Sequence, residues 1–282
     1  MPDPERLLRT LRLARTQTLA TPGRRGRIVE LDGAREVLIA GDLHGHLGHF
    51  QQLFKLANLG QNPDRHLVLQ EMIHGPFHYP EGGDRSHQMV DLYAAMKCQF
   101  PKQVHYLMGN HEFAQWIGRK IAKGDSEQNT LFLAGVLHQY GDEMGTLIYD
   151  AYRELFAVIP LMVRTPNRVC MTHSLPSASK MASFDPSILA KEVLEPSDLL
   201  PSSPIYSLLW GRDASPANAT KFLEKVDGDL LITGHIPTQN GYTVPNDRQI
   251  IIDCADRPAA CCLFPCDRPL THDELVACIQ ML

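Results

Sequence analysis

Five short apolar runs in this chain of 282 residues each end on a side chain able to bind a metal ion. The run 35–40 (REVLIA) is followed by Asp42 and His44, and the run 66–70 (HLVLQ) by Glu71. The run 103–108 (QVHYLM) leads into Asn110 and His111, 168–172 into His173, and 229–233 into His235. Runs of this length and composition, stopped by glycine or turn residues, predict buried strands. A single strand-end histidine is ordinarily a structural residue satisfied by its neighbours. Five strands delivering such groups at the same end predict a site, because the carboxyl edge of an open α/β sheet is where ligands bind.

The stretches between the runs have helical spacing. The segment 5–20 carries leucines at 7, 8, 11 and 19, 47–57 repeats apolar residues every three or four positions, and 86–97 starts at a capping Ser86. Strand–helix alternation of this kind argues for βαβ units. Residues 112–160 read as mostly helical, with periodic segments near 113–122, 127–138 and 145–157. Further strands are expected at 161–164, 168–172, 229–233 and 249–253, with a Pro- and Ser-rich connection at 174–206. Neither a repeat nor a linker divides the chain. The expectation is one domain over 1–282, with an N-terminal helical extension at 1–27 and a helical cap at 113–157.

Composition narrows the function classes. A net charge of −5 gives no basic field for nucleic acid. The cluster Arg24, Arg25 and Arg27 reads as a solvated loop. No stretch reaches the ~18–20 apolar residues of a membrane span. The N-terminus has Arg6, Arg9, Arg12 and Arg15 but no apolar core with a cleavage site, which points away from secretion and towards the cytoplasm. The cysteine count, seven, is odd. Cys98 and Cys170 sit in apolar segments. Cys254, Cys261, Cys262 and Cys266 lack paired CxxC spacing, and 259–264 reads as a buried strand, so a structural role is expected over zinc.

A set of carboxylates, imidazoles and an amide oxygen suits Mn, Fe or Zn. Two such ions ~3.5–4 Å apart can clamp a phosphoryl group and supply a hydroxide nucleophile near neutral pH. A carboxylate bridging both is the natural way to hold them that close.

On these motifs the chain resembles the phosphoprotein phosphatase branch of the calcineurin-like metallophosphoesterases, over roughly 35–255. GDLHG at 41–45 is similar to the family's first metal motif and GNHE at 109–112 to its third. His173-Ser174 stands where the family has His-Gly, and Gly234-His235 matches its last ligand motif. The segments 206–212 (YSLLWGR) and 240–242 (NGY) resemble the bacterial type. The resemblance implies two mixed sheets packed as a sandwich and flanked by helices. It implies that Asp42 and His44 bind one metal, that Asn110, His173 and His235 bind a second, and that His111 is the general acid. It also implies that Arg85 and Arg212 grip the phosphate. The implied activity is hydrolysis of phosphoserine, phosphothreonine or a small phosphoester. Within the same branch the alternative is a dinucleoside polyphosphate, and outside catalysis a metal- or phosphate-binding protein derived from the fold.

The second family motif, Gly-Asp-x-x-Asp-Arg-Gly, departs from its pattern. Gln70-Glu71 stands where Gly-Asp belongs, and twelve residues instead of two separate Glu71 from Asp84-Arg85. The preferred reading makes Glu71 the bridging carboxylate and 72–83 an insert, with Asp84 orienting His111. The rival reading makes Asp84 the bridge. His74 and His78 are expected to be exposed loop residues. His46 and His49 are expected to pack or face solvent, Trp116 to lie in the core, Asp213 to orient Arg212 or be solvated, and Ser174 to add a hydroxyl near the metals.

Overall fold

The computed structural model describes residues 3–124 and 126–282. Helix α1 (Pro4–Leu19) is capped by Asp3, whose carboxylate accepts from the amides of Glu5 and Arg6. Strands β1 (Arg24–Arg25) and β2 (Ile28–Glu30) follow. The alternation β3 (Glu36–Asp42), α2 (Leu47–Ala57), β4 (Arg65–Gln70), α3 (His87–Gln99), β5 (Val104–Leu107) matches the sequence pattern closely. Next come α4 (Asn110–Ile117), a small hairpin of β6 (Ala122–Lys123) and β7 (Ser126–Glu127), α5 (Gln128–Tyr140) and α6 (Asp142–Phe156). Strands β8 (Met162–Arg164) and β9 (Val169–Thr172) precede the long connection, which folds into the short α7 (Ala178–Met181) and two 3-10 turns. The chain closes with α8 (Pro204–Trp210), α9 (Pro216–Val226), β10 (Leu230–Thr233), β11 (Tyr242–Thr243), β12 (Gln249–Ile252), β13 (Ala260–Pro265), α10 (His272–Val276) and β14 (Ile279–Met281).

The strands form two mixed sheets. One has the order β14-β13-β3-β4-β5, the other β1-β2-β8-β9-β10-β12-β11. Val37, Ile39, Val68 and Leu107 of the first sheet belong to one core with Val163, Met171, Ile232 and Ile250 of the second. Their strand neighbours Leu38, Ala40, Leu67 and Leu69 pack instead in the core that holds Phe50, Leu53 and Tyr93 of the helices. Strands buried on both faces read as continuous apolar runs, which is why VLIA and LVL stand out in the sequence. Cys261 and Cys262 fall on opposite faces of β13, one in each core, and all seven cysteines are free thiols.

Because β3, β4 and β5 run parallel, as do β9, β10 and β12, their carboxyl ends collect on one edge. A bridge between Asp42 and Asp253 joins the two sheets there. Helix α1 packs on α3 and α6 through Leu7, Leu8 and Leu11. The arginine cluster is not the solvated loop expected. Arg24 and Arg25 pair with β2, and Arg27 is buried, donating from Nη1 to the Ala157 carbonyl at 2.6 Å. Among the described residues no helix is long and apolar enough to cross a membrane.

Candidate metal-binding active site

The shared edge opens into a cleft of about 380 Å³ lined by Asp42, His44, Glu71, Asn110, His111 and His235, with the exposed Arg212 at its margin. Backbone strain gathers here. Among the described residues seven non-glycine residues adopt a left-handed φ, and four of them, His44, Glu71, His74 and His235, belong to this edge. Such conformations cost about 1–3 kcal/mol each, and a fold retains them where they aim a side chain.

His44, Glu71 and His111 place ligand atoms within 4.8 Å of one another. The His44 ring points Nδ1 at the Ile73 carbonyl, 2.9 Å away. A carbonyl only accepts, so Nδ1 carries the proton and Nε2 is the lone-pair nitrogen, the tautomer a metal ligand needs. Beside it, Asp42 Oδ2 accepts from the His235 amide at 2.9 Å, whereas Asp42 Oδ1 is buried with no hydrogen-bond partner. A buried carboxylate oxygen left in that state is suited to ligate a cation.

A second group lies deeper. His173 Nε2 is 2.9 Å from Asn110 Oδ1, 3.2 Å from His235 Nδ1 and 3.6 Å from Glu71 Oε2. Gln70 decides the tautomer. Its Nε2 donates to the Ala40 carbonyl at 3.0 Å, so its oxygen must be the atom 3.0 Å from His173 Nδ1. His173 therefore carries its proton on Nδ1, and its Nε2 lone pair faces the Asn110 oxygen. Two acceptors at that distance suit ligation of a shared cation. Burial, followed by the neighbouring histidines His235 and His44, holds His173 well below the usual imidazole range. Burial and then Arg212 push His235 down to about 3. Both rings are thus neutral, as ligands must be.

Glu71 stands between the groups, with Oε1 3.6 Å from His111 Nε2 and Oε2 toward His173. Burial, then Glu112 and Asp42, push its carboxyl well above the ordinary range, and burial with Asp253 does the same for Asp42. Positive charge is what such a carboxylate cluster lacks, so the donor set fits divalent ions. The longer side chain of Glu71 has room because residue 109 is glycine. A Cβ there would stand 1.6 Å from Glu71 Oε2.

The stretch after Glu71 differs from expectation at several points. Asp84 lies outside the cleft lining, with its carboxylate turned to Ser86. Its carboxylate accepts from the Ser86 amide at 2.8 Å and the Ser86 hydroxyl at 2.6 Å. Ser86 therefore starts α3 without capping it by its side chain. Arg85 lies outside the cleft lining, exposed and over the Tyr79 ring at 5.5 Å. His74, expected in solvent, is fully buried with Nδ1 2.8 Å from His111 Nδ1. Only Met72 and Ile73 separate it from Glu71, which is the two-residue spacing the family motif demands. No insert precedes that position; the extra residues follow it. The next position, where the motif has Arg, is Gly75, and a Cβ there would stand 2.2 Å from the His44 carbonyl oxygen. Backbone contact, not tolerance, excludes the arginine.

The remaining residues fall into place around this. His78 is exposed, whereas His49 is buried with Nδ1 2.8 Å from the Cys254 carbonyl, half-buried His46 stacks on it, and Trp116 packs on the core. The Ser174 hydroxyl donates to the Gly211 carbonyl, tying the end of β9 to the segment that presents Arg212. Asp213 accepts from the Ala178 and Ser215 amides. Glu112, the last residue of GNHE, accepts from the Met72 and Ile73 amides and from the Tyr106 hydroxyl, anchoring the turn after Glu71.

The model of the calcineurin-like phosphoesterases matches residues 36–239, a span that contains every one of these ligand candidates. The chain belongs to that family. A relative of this phosphoesterase, a probable serine/threonine-protein phosphatase of Encephalitozoon cuniculi, is 24% identical over 241 residues. The alignment covers 79% of this chain and 47% of the relative, so the chain spans about half that protein's length. A Saccharomyces cerevisiae protein serine/threonine phosphatase with similarity to human phosphatase PP5 superposes with a TM-score of 0.69 at 14% identity, over 99% of this chain and 90% of the other. A cold-active protein-tyrosine phosphatase from Shewanella gives 0.57 at 13% identity, over 91% and 82%. At these identities the likeness is one of fold, and it includes the two packed sheets flanked by helices.

Proposed function

We propose that this phosphoesterase hydrolyses phosphomonoesters of the phosphoserine or phosphothreonine type with two divalent ions. The observation that carries the reading is Glu71 standing between two groups of neutral imidazoles and oxygens, with His111 beside it. Asp42, His44 and Glu71 would hold one ion, and Asn110, His173, His235 and Glu71 the other. When bound, the ions supply Lewis-acid charge and an activated water.

The protein's own residues supply the rest. Arg212, at the cleft margin, would grip the phosphoryl oxygens with its planar fork. His111 would give its Nε2 proton to the oxygen that leaves as the P–O bond breaks. The serine/threonine phosphatase name of the relative supports the substrate class, and phosphopeptides are the first substrates to offer.

The test is hydrolysis of a phosphoserine peptide with Mn²⁺, beside metal content per chain. The wild type is expected to turn over with two ions bound. His111→Ala is expected to fall by roughly 10²–10⁴-fold, the usual worth of a general acid, with its metal content unchanged. Undiminished activity in that variant would remove His111 from the mechanism, and one ion per chain would remove the two-metal reading.

A further inference from the structure

We infer that His74, held by Gln115, is the residue that positions His111 for proton donation, in the place where the family motif puts a carboxylate. The inference rests on reading His111 as the proton donor and goes beyond it by naming what aims that donor.

The geometry is a chain of buried contacts. Gln115 Nε2 donates to the Tyr149 hydroxyl at 2.8 Å, which turns its amide oxygen toward His74 Nε2, also at 2.8 Å. An amide oxygen only accepts, so His74 Nε2 carries the proton. His74 Nδ1 is then the lone-pair nitrogen, and it faces His111 Nδ1 at 2.8 Å. His111 therefore presents Nδ1–H to His74 and turns Nε2 toward Glu71, into the cleft. A donor held on one nitrogen by a fixed acceptor keeps the other nitrogen aimed at the leaving oxygen.

His74 is itself rigidly placed. It is fully buried, has a φ of 64°, and its amide donates to Ser86 Oγ at 3.0 Å. The Ser86 hydroxyl in turn donates to Asp84. Asp84 thus serves the backbone of the residue that serves His111. The ring edge of His74 packs near Phe132 of α5, so the cap helices fix it from above. One stereochemical point favours exchange with a carboxylate. Histidine Nδ1 and the Oδ atoms of Asp or Asn are all bonded to Cγ, so each can place an acceptor at the same distance from the backbone.

In the reaction the P–O bond breaks as water adds to phosphorus. The leaving oxygen takes the Nε2 proton of the His111 imidazolium, which becomes neutral while keeping Nδ1–H bonded to His74. Solvent restores the proton.

The experiment compares two esters in the Mn²⁺-loaded protein. Phenyl phosphate has a leaving oxygen that needs a proton, whereas the 2,4-dinitrophenolate leaving group departs without one. His74→Leu is expected to lose about 100-fold on phenyl phosphate, with 2,4-dinitrophenyl phosphate turnover within about threefold of wild type. His74→Asn, which keeps an acceptor at that position, is expected to recover most of the loss. Equal losses on both esters, no loss on either, or an asparagine variant as impaired as leucine would overturn the inference. A purely structural role would lower both rates together. If the leucine variant fails to fold, Gln115→Met reads the same chain one bond further out, with a selective loss again expected and a uniform one refuting it. Wild-type protein inert toward both esters would instead overturn the hydrolase reading itself.

Discussion

The strand ends at 41–44 and 109–111 and the turn at 70–86 carry parts of the same site, yet they relate to sequence in opposite ways. At the strand ends, Asp42, His44, Asn110 and His111 stand directly where GDLHG and GNHE place them, and so do His173 and His235. In the turn, the residues that look like the motif, Asp84 and Arg85, stand outside the cleft lining, and residues that do not look like it, His74 within the turn and Gln70 at the end of the strand that enters it, meet His111 and His173. A strand end fixes its side chain through sheet register, which local sequence encodes. A turn fixes its side chains through contacts made by distant residues, here Glu112, Gln115 and Ser86.

The largest expected effect tests whether the turn matters to the ligands at all. Gln70→Ala removes the acceptor that sets the His173 tautomer. Loss of such an outer partner costs roughly 10–100-fold in metal affinity. Titration of the metal-free variant with Mn²⁺ would show this, and wild-type affinity would mean that the strand ends suffice alone.

A smaller effect separates the two arginines. A charge-assisted hydrogen bond is worth about 1.5–3 kcal/mol, so Arg212→Ala should lower kcat/KM by about tenfold or more. Arg85→Ala, over Tyr79 and away from the cleft, should change it less than about twofold, because its surface cation–π contact of ~0.5–1 kcal/mol bears on stability and not on turnover. Equal losses in the two variants would return Arg85 to the site and restore the motif as written.

The smallest effect lies on the same strand as Gln70 but at its other end. His66 Nδ1 is 2.8 Å from His105 Nε2 on the neighbouring strand. Burial, then the charge of Lys97, pushes His66 down to about 4 and His105 well below its ordinary range. The folded protein therefore keeps both rings neutral, while the unfolded chain charges them below about pH 6.5. Stability from this pair is complete above that pH and is lost as pH falls from about 6.5 toward 4. Unfolding temperatures across that range should decline in the wild type and decline less in His66→Phe. An equal decline would place the acid sensitivity at the ligand edge instead.

Much of the fold was legible because strands buried on both faces announce themselves as uninterrupted apolar runs, and their parallel order follows from the helices between them. The metal candidates were legible for the same reason, each within four residues of the end of such a run. His74 was not, although the signal was present. Two residues between it and Glu71 is the motif spacing, but a histidine in a Pro- and Gly-rich stretch carries no periodicity to show that it is buried. Gln70 was passed over because glutamine at a strand end has no chemistry of its own until a histidine from another strand meets it. The burial of Arg27 was hidden likewise, since the Ala157 carbonyl that its guanidinium meets lies at the end of α6, far along the chain.

The sequence by itself determined the order of strands and helices, the strand-end ligand candidates and the glycines beside them. These depend on local propensity and on the short reach between a strand and the residue that follows it. The tertiary structure decided which side chain meets His111, which nitrogen of His173 faces the ligand group, and which arginine borders the cleft. Each of those depends on a contact between residues far apart in the chain, and a hydrogen bond has meaning only once both partners are in place.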